Sequence, residues 1–353
     1  MTHPADAAAS TTRWRSTAPL QVAPVKTVAP VVSELGGLTM GTRWSVRFWH
    51  PIGTLSAPHS ALRAAIESAL DTVVQQMSPW APDSDLSRFN RAAAGHWQTL
   101  PEPFFSVLRC ALDLARDSGD AYDPTVGPVV DLWGFGPAPT RDTVPPAAEI
   151  QAAHARVGWQ RLAIDVPQRR VRQPGGSALD LSSIAKGHAV DAVASALRAL
   201  GCANVLVEVG GELLGCGRRP DGAPWRVAVK LPGFAMTDTG ADIDEAPGPV
   251  LALPDLAVAT SGDDFRHFVA DGEHCSHTID PRTGRPIRHA LASVTVVHPQ
   301  CMQADALATA LLVLGPEAGW AYAQRHRLAA LFIRRGAEGH EARPTEAFDA
   351  LLA

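Results

Sequence analysis

The sequence predicts an α+β fold in which helices pack on a mixed or antiparallel sheet. Along the 353 residues, the predicted strands and helices follow one another without the regular βαβ alternation of a doubly wound sheet. Residues 293–298 form an apolar, β-branched run, which is typical of a strand buried on both faces, and a helix is predicted after it. Because 46% of the residues are hydrophobic, the chain can bury a sizeable core.

Composition excludes several classes of protein. The net charge is −5, and no basic run with interleaved aromatic residues occurs, so a nucleic-acid partner is not expected. The five cysteines are scattered without a CxxC pair, which favours free thiols in a reducing compartment over disulfides or a zinc site. They are Cys110, Cys202, Cys216, Cys275 and Cys301.

The N-terminal residues 1–36 are rich in Ala, Pro and Thr, and we predict that they form a flexible tail ahead of one domain over 37–353. This segment lacks the uninterrupted apolar core of a secretory signal, and no cysteine for a lipid anchor precedes Cys110. No other stretch is apolar and long enough to cross a bilayer. We therefore expect a cytoplasmic protein; an incomplete N-terminus would make a periplasmic location the alternative.

Hydrophobic periodicity and turn residues predict the elements in order. In the first half of the domain, these patterns predict a strand over 44–48, a helix over 60–77 and a loop with a short turn capped by Asp83 or Ser84. They then predict a helix over 103–117, a loop over 137–146 and a helix over 147–157. The second half predicts strands over 162–166 and 169–172, a helix capped by Ser182 or Ser183 and running to Leu200, strands over 204–209 and 225–230, a surface loop over 232–249, strands over 256–259, 265–269 and 293–298, a helix, a further helix over 316–326 and a strand over 328–333.

Asp305 and Thr309 are four residues apart on the helix that follows the buried strand. Their side chains share one face of that helix, so a carboxylate and a hydroxyl can present oxygen to the same hard cation. The alternative is structural: Asp305 complements the positive end of the helix, and Thr309 bonds back to the carbonyl of residue 305.

A second cluster precedes the helix that ends at Leu200. A helix that starts at Ser182-Ser183 would offer backbone N–H groups to a phosphate oxygen, and Lys186 would add a positive charge. Asp180 and the Ser183 carbonyl are additional candidates for the cation of Asp305. Taken singly, Lys186 fits a solvated surface lysine better than a phosphate contact. The chain contains neither GxGxxG opening a βαβ unit nor GxxxxGK[ST], so the usual dinucleotide and P-loop sites are excluded.

His277 lies in the polar turn sequence HTIDPRTG. A histidine in such a turn can take the proton of an attacking hydroxyl, although it can also serve only to hold the Asp-Pro turn.

The motifs together resemble the ApbE-like flavin transferases. Eight landmarks occur in that family's order over about residues 38–335: MGTRW, SRFN, DPTVGPVVDLWGFG, DLSSIAKGHAVD, VGGEL, TSGD, HTIDPRTGRPI and ADALATALLVLG.

This resemblance implies a T-fold-like α+β domain that binds FAD with Mg²⁺ and moves FMN onto a Ser or Thr hydroxyl of a target flavoprotein, releasing AMP. It implies FAD contacts at Met40, Trp80, Ala121, Tyr122, Asp123, Asp180, Lys186 and Ile279. It implies magnesium ligands at Ser183 (through its carbonyl), Asp305 and Thr309, and a catalytic base at His277. Family members often have Gly-Gly or Gly-Ala in place of Ser182-Ser183 and are often exported lipoproteins; this chain departs from both patterns.

Two other functions fit the same motifs. A metal-dependent FAD pyrophosphatase would use water in place of the protein hydroxyl and would release free FMN. A non-catalytic flavin-binding protein would leave FAD intact, but simple storage requires neither His277 nor the Asp305/Thr309 pair.

Overall fold

The structure is a computed structural model that describes residues 31–51, 57–232, 248–263, 266–270, 272–337 and 339–352. Most of the predicted tail and of the predicted loop over 232–249 lies outside these residues, as does the start of the strand predicted over 265–269. The helices are α1 (His59–Met77), α2 (Asp85–Arg91), α3 (Glu102–Asp117), α4 (Gly127–Leu132), α5 (Ala147–His154), α6 (Ala185–Ala199), α7 (Cys301–Arg325) and α8 (Glu346–Asp349). A 3₁₀ turn spans Trp159–Arg161.

The strands are β1 (Ser33–Thr39), β2 (Thr42–Trp49), β3 (Trp97–Thr99), β4 (Ala163–Asp165), β5 (Arg170–Arg172), β6 (Asn204–Val209), β7 (Glu212–Cys216), β8 (Trp225–Ala228), β9 (Val250–Leu253), β10 (Leu256–Gly262), β11 (His267–Ala270), β12 (Glu273–Ser276), β13 (Ile279–Asp280), β14 (Arg285–Pro286), β15 (Leu291–His298), β16 (Ala329–Gly336) and β17 (Gly339–Pro344).

Eight of these strands form one sheet in the order β1-β2-β6-β7-β10-β15-β16-β17. Each neighbouring pair is antiparallel. The predicted α+β class with an antiparallel sheet and packed helices is therefore confirmed. The other strands form small two- and three-stranded sheets, of which β3-β5-β4 is the largest.

Both faces of the large sheet are covered. On one face, Val205, Val207 and Val209 of β6 join the core formed with α1, α3 and α6. On the other face, Leu206 joins a second cluster that includes Trp225 of β8, residues of β9 and Phe348 of α8. The alternation follows from the period of two in a strand. The prediction that the strand over 293–298 is buried on both faces is confirmed, since seven of the eight residues of β15 are buried.

The first strand begins at Ser33, so the predicted boundary between tail and domain falls inside β1. The sequence conceals this strand because Gly36-Gly37 interrupts its pattern. A Cβ on Gly37 would lie 2.7 Å from the indole nitrogen of Trp44, its partner on β2, so the small residue lets the Trp44 ring lie over the strand.

The helix α7 unites the two helices that the sequence predicts on either side of residue 315. Gly315 has φ of 84° and lies directly before Pro316, so the helix changes direction there. The part of α7 before this kink packs on β10 and β15 and against α6. Among the described residues, no helix combines the length and the apolar character needed to cross a bilayer.

Candidate active site

Two tight turns lie side by side at one end of the large sheet. The β1–β2 turn contains Met40, which has a positive φ of 48°, and Gly41. The β6–β7 turn is Gly210-Gly211. A Cβ on Gly210 would lie only 2.8 Å from Cγ2 of Thr42, so this position requires glycine. Met40, a predicted FAD contact, therefore lies close to the glycine turn of the VGGEL motif.

The segment before α6 forms a turn and not the start of a helix. Ser182 N donates to Asp180 Oδ1 over 2.8 Å. The helix begins only at Ala185, and the residue before it, Ile184, makes no side-chain capping bond. The prediction that Ser182 or Ser183 caps this helix is therefore wrong, because the Asp180 carboxylate closes a local turn that ends before the first helical residue.

The first turn of α6 is held against α7. Asp305 Oδ2 accepts a hydrogen bond from Gly187 N over 2.9 Å, and the Asp305 side chain is buried. A Cβ on Gly187 would lie 2.4 Å from the carbonyl oxygen of Cys301, so the helices approach as closely as glycine permits. Burial raises the pKa of Asp305, although the positive charge of Lys186 opposes the shift. Asp305 thus complements the N-terminal turn of the neighbouring helix, and the N–H expected to meet a phosphate oxygen is given to a carboxylate.

Lys186 forms an ion pair with Glu212, the first residue of β7. The Lys186 Nζ to Glu212 Oε1 distance is 2.5 Å, and Glu212 is buried. Burial by itself would lower the pKa of Lys186, but the carboxylates of Glu212 and Asp305 outweigh it and raise the pKa to about 12. Burial raises the pKa of Glu212 to about 7, against the opposing effect of Lys186. Lys186 is therefore not the solvated lysine of the alternative interpretation.

The sequence reasoning missed Glu212. The available signal was its place directly after Gly210-Gly211 in VGGEL, one of the motifs that carry the family resemblance.

Hydroxyl groups connect the remaining predicted magnesium ligands to their neighbours. Thr309 Oγ1 lies 2.7 Å from Ser261 Oγ of β10, and, among the described residues, no hydrogen bond joins it to the carbonyl of residue 305, which the structural alternative requires. Ser183 Oγ donates to Tyr122 Oη over 3.0 Å. Ser261 was also missed, although it belongs to the TSGD motif.

The residues present fit a magnesium ion. Mg²⁺ prefers oxygen ligands and is commonly bound by one or two carboxylates together with water and substrate phosphates. Asp305 supplies a buried carboxylate, and Thr309 follows it by one helical turn. One ammonium, that of Lys186, faces two carboxylates, and the second oxygen of Glu212 is buried without a hydrogen-bond partner among the described residues. In the described part of the chain, no three His, Cys, Asp or Glu side chains are arranged so that they could hold a metal ion by themselves.

His277 is half-buried and held in one orientation. Its Nδ1 lies 3.0 Å from the carbonyl oxygen of Arg266, and its backbone N donates to the same oxygen over 3.0 Å. Because a carbonyl oxygen only accepts, Nδ1 carries the proton and Nε2 keeps its lone pair. Burial lowers the pKa of His277, and the positive charges of Arg266 and Lys186 act in the same direction, so the ring is neutral at neutral pH.

The aromatic segment WGFG packs against the turn that carries His277. Trp133 Nε1 donates to the carbonyl oxygen of Gly284 over 3.0 Å. The Phe135 and His277 rings meet edge to face with centroids 6.3 Å apart. These contacts join the WGFG segment to the HTIDPRTG turn and help to hold that turn in place.

The remaining predicted FAD contacts differ in exposure. Trp80 is 53% exposed, so its ring is available for stacking, whereas the side chains of Ala121, Tyr122 and Ile279 are buried. The Asp123 carboxylate is engaged within the protein: Oδ1 accepts from N and Oγ1 of Thr125, each over 2.7 Å, and Oδ2 accepts from Trp159 N over 3.0 Å. A nucleotide contact at these buried positions would come chiefly from the backbone, and the roles of all these residues stay predictions.

Comparison with known proteins gives consistent similarities. A sequence model of the ApbE family matches residues 40–332. The FAD:protein FMN transferase of Vibrio cholerae serotype O1 is 38% identical over 326 residues, which cover 90% of this chain and 92% of that protein. The solved structure of the flavin transferase ApbE from Vibrio cholerae has a TM-score of 0.81 at 36% identity and covers 92% of this chain and 100% of that one. The apo flavinyl transferase ApbE of Pseudomonas stutzeri has a TM-score of 0.82 at 39% identity and covers 93% and 98%.

Proposed function

The chain belongs to the ApbE family, and from that premise we propose that it transfers FMN from FAD to a Ser or Thr hydroxyl of an acceptor flavoprotein and releases AMP. The proposal is supported most by the hydrogen bond from Gly187 N to Asp305 Oδ2, because it brings the DLSSIAKGHAVD and ADALATALLVLG motifs together. Lys186 and Glu212 lie in the same cluster. Three segments distant in sequence therefore surround one small polar region.

The reaction breaks the diphosphate of FAD. The hydroxyl oxygen of the acceptor attacks the phosphorus of the FMN half, and the P–O bond to the AMP phosphate breaks. AMP leaves with that bridging oxygen. Such a displacement requires an aligned nucleophile, a base for its proton and positive charge near the phosphate oxygens.

His277 is the proposed base. Its Nδ1–H donates a hydrogen bond to the Arg266 carbonyl oxygen, so Nε2 is the nitrogen that takes the proton of the acceptor hydroxyl. The lowered pKa keeps this nitrogen unprotonated at neutral pH. The hydrogen bond from Trp133 to Gly284 holds the turn, and the Phe135 ring contacts the imidazole edge to face, which limits rotation of the imidazole.

Charge on the diphosphate is balanced by residues from α6 and α7. Lys186 remains protonated because its pKa is raised, so it provides a permanent positive charge and has donors beyond the one given to Glu212. Asp305 and Thr309, with the Ser183 carbonyl, would hold Mg²⁺, which when bound neutralises charge on the phosphate oxygens. Asp180 helps to shape the Ser182-Ser183 turn beside this region.

FAD binding is proposed to use the family's contact positions. The exposed ring of Trp80 is suited to stacking on a planar ring of FAD. Met40 lies in the turn next to Gly210-Gly211, and Ala121, Tyr122, Asp123 and Ile279 are the further proposed FAD contacts.

The acceptor is proposed to be a flavoprotein that carries a short Ser- or Thr-containing motif. The names of the relatives support a protein as the acceptor of FMN. For location we propose a reducing compartment, the cytoplasm, supported by the five free cysteines. Separation of cell fractions tests this: recovery of the protein with a periplasmic marker contradicts it.

The function is tested by incubating the protein with FAD, Mg²⁺ and a redox-subunit domain that presents a surface Ser/Thr motif. The expected result is a fluorescent flavin band on the acceptor in a denaturing gel, and no band when the acceptor Ser or Thr is replaced by Ala. Free FMN without a labelled band would indicate a pyrophosphatase instead. Intact FAD would indicate a flavin-binding protein without this activity.

A further inference from the structure

Glu212 is placed on the helix side of the sheet by the register of β6 and β7. It lies opposite Val209, whose side chain belongs to the core packed against α6, whereas Glu208 lies opposite Leu213. Side chains opposite each other in an antiparallel pair point to the same face, and successive residues point to opposite faces. Glu212 and Glu208 therefore point away from each other across the sheet, and only Glu212 meets Lys186.

Lys186 has little freedom to move. Its Cδ lies close to the β6–β7 turn: a Cβ built on Gly210 would be 3.4 Å from this atom. Its Nζ is held 2.5 Å from Glu212 Oε1. The aliphatic stem and the ammonium thus contact two residues of one hairpin, Gly210 and Glu212, and the bond to Glu212 uses one of the three ammonium protons.

The charges in this cluster do not cancel. Glu212 is 2% exposed, and its Oε2 has no hydrogen-bond partner in the described part of the chain. The negative charge of Asp305 also acts on both Lys186 and Glu212. A buried carboxylate oxygen without a partner opposes folding, and a catalytic role or a bound ion is one of the explanations for such a group. When both carboxylates are ionised, one ammonium between them leaves an excess of one negative charge, which attracts a cation and repels a diphosphate.

We propose that Glu212 is a positioning residue that holds Lys186 toward the diphosphate and makes FAD binding depend on a divalent cation. This inference rests on the proposed function and names how its site is regulated. Without the cation, the excess negative charge disfavours FAD; with the cation, the charge is reversed and Lys186 is already oriented. Binding of the cation and binding of FAD are then coupled, each strengthening the other by the same factor.

The test is the FAD dissociation constant, measured by flavin fluorescence with Mg²⁺ and with EDTA, in the wild type and in Glu212→Gln. The amide keeps the shape and an acceptor for Lys186 but removes the charge. We expect FAD to bind more tightly in EDTA, and the strengthening by Mg²⁺ to fall by roughly tenfold, within the range typical of coupled sites. The affinity for Mn²⁺ alone, followed by its electron paramagnetic resonance signal, should fall as well.

Two further variants separate charge from shape. Glu208→Gln removes the same charge from the opposite face of the sheet and should leave the coupling unchanged. Glu212→Asp keeps the negative charge but moves it away from Lys186 Nζ, so the coupling between the cation and FAD should be retained. This variant also keeps the inference testable if Glu212→Gln fails to fold. Loss of coupling in Glu212→Asp, or equal weakening of FAD binding with and without Mg²⁺ in Glu212→Gln, would overturn the inference.

The inference and the proposed function fail separately. If the wild type labels the acceptor while Glu212→Gln retains full coupling, only the role of Glu212 is wrong. If coupling changes as expected but no variant or wild type labels the acceptor, only the transfer reaction is wrong.

Discussion

Asp305 Oδ2 and Gly187 N, 118 residues apart in sequence, are joined by a 2.9 Å hydrogen bond between α7 and the first turn of α6. The carboxylate uses an N–H group that a helix start would otherwise offer to a ligand. Because the two helices approach closely, Asp305 and Lys186 lie in one cluster, and Glu212 at the start of β7 joins it through its ion pair with Lys186. The candidate site therefore depends on how closely α6 and α7 approach.

Gly187→Ala should separate these helices. In most helix interiors a change from Gly to Ala is stabilising by about 1 kcal/mol. Here the added Cβ would lie 2.4 Å from the Cys301 carbonyl oxygen, so we expect a loss of about 1–3 kcal/mol in the free energy of unfolding. Urea unfolding measures it, with Ser195→Ala on the exposed side of α6 as the control. A Gly187→Ala protein more stable than the wild type contradicts the observed approach of α6 and α7.

Asp305→Asn should preserve the fold but remove metal-dependent transfer. The amide oxygen still accepts from Gly187 N, so the melting temperature should change little, whereas the charge that attracts a cation is lost. We expect FMN transfer to fall by roughly 10²-fold or more, and Asp305→Ala to abolish it. Transfer is followed by flavin fluorescence of the acceptor across a Mg²⁺ titration. Full activity of the wild type in EDTA would argue against any role for a metal.

The stability of the metal-free protein should depend on pH through Glu212. Its pKa is raised by burial from the usual 4.5 to about 7, so between these values the folded state binds more protons than the unfolded state. The stability from Glu212 is complete below about pH 4.5 and is lost as the pH rises through about 7. Buried histidines act in the opposite direction, so the difference between proteins is the useful quantity.

Thermal unfolding in EDTA provides this comparison. The melting temperature of Glu212→Gln relative to the wild type should increase as the pH rises from about 4.5 to about 7. Parallel curves for the two proteins would show that Glu212 does not titrate in this range.

Local sequence patterns predict the elements whose residues contact the core with a regular period. The face predicted for α1 consists of Leu62, Ile66, Leu70, Val73 and Val74; all of these are buried except Val74, which is half-buried. The strand β15 follows from its apolar run. The edge strand β17 was missed because nearly all its residues are exposed and it shows no apolar alternation. Edge strands need only backbone pairing on one side, which leaves little trace in the sequence.

The sequence predicts those features of the site that depend on local spacing and not those that depend on contacts between distant segments. The spacing of Asp305 and Thr309 places them on one helix face, a local property that the sequence contains. The contacts of Glu212 depend on strand register and on the separate packing of α6, which no local pattern encodes. The N-cap prediction at Ser182 or Ser183 was wrong because a nearby carboxylate, Asp180, competes for the Ser182 N–H.

The most direct test of the account is FMN transfer by His277→Ala, measured together with FAD affinity. The proposed role of His277 is to accept a proton, and its backbone hydrogen bond to Arg266 survives the change, so FAD affinity should be retained. The transfer rate should fall by ~10²–10⁴-fold. The control is His274→Ala, an exposed histidine of β12, which should transfer normally. An unchanged rate in His277→Ala would contradict the assignment of the base and, with it, the proposed mechanism.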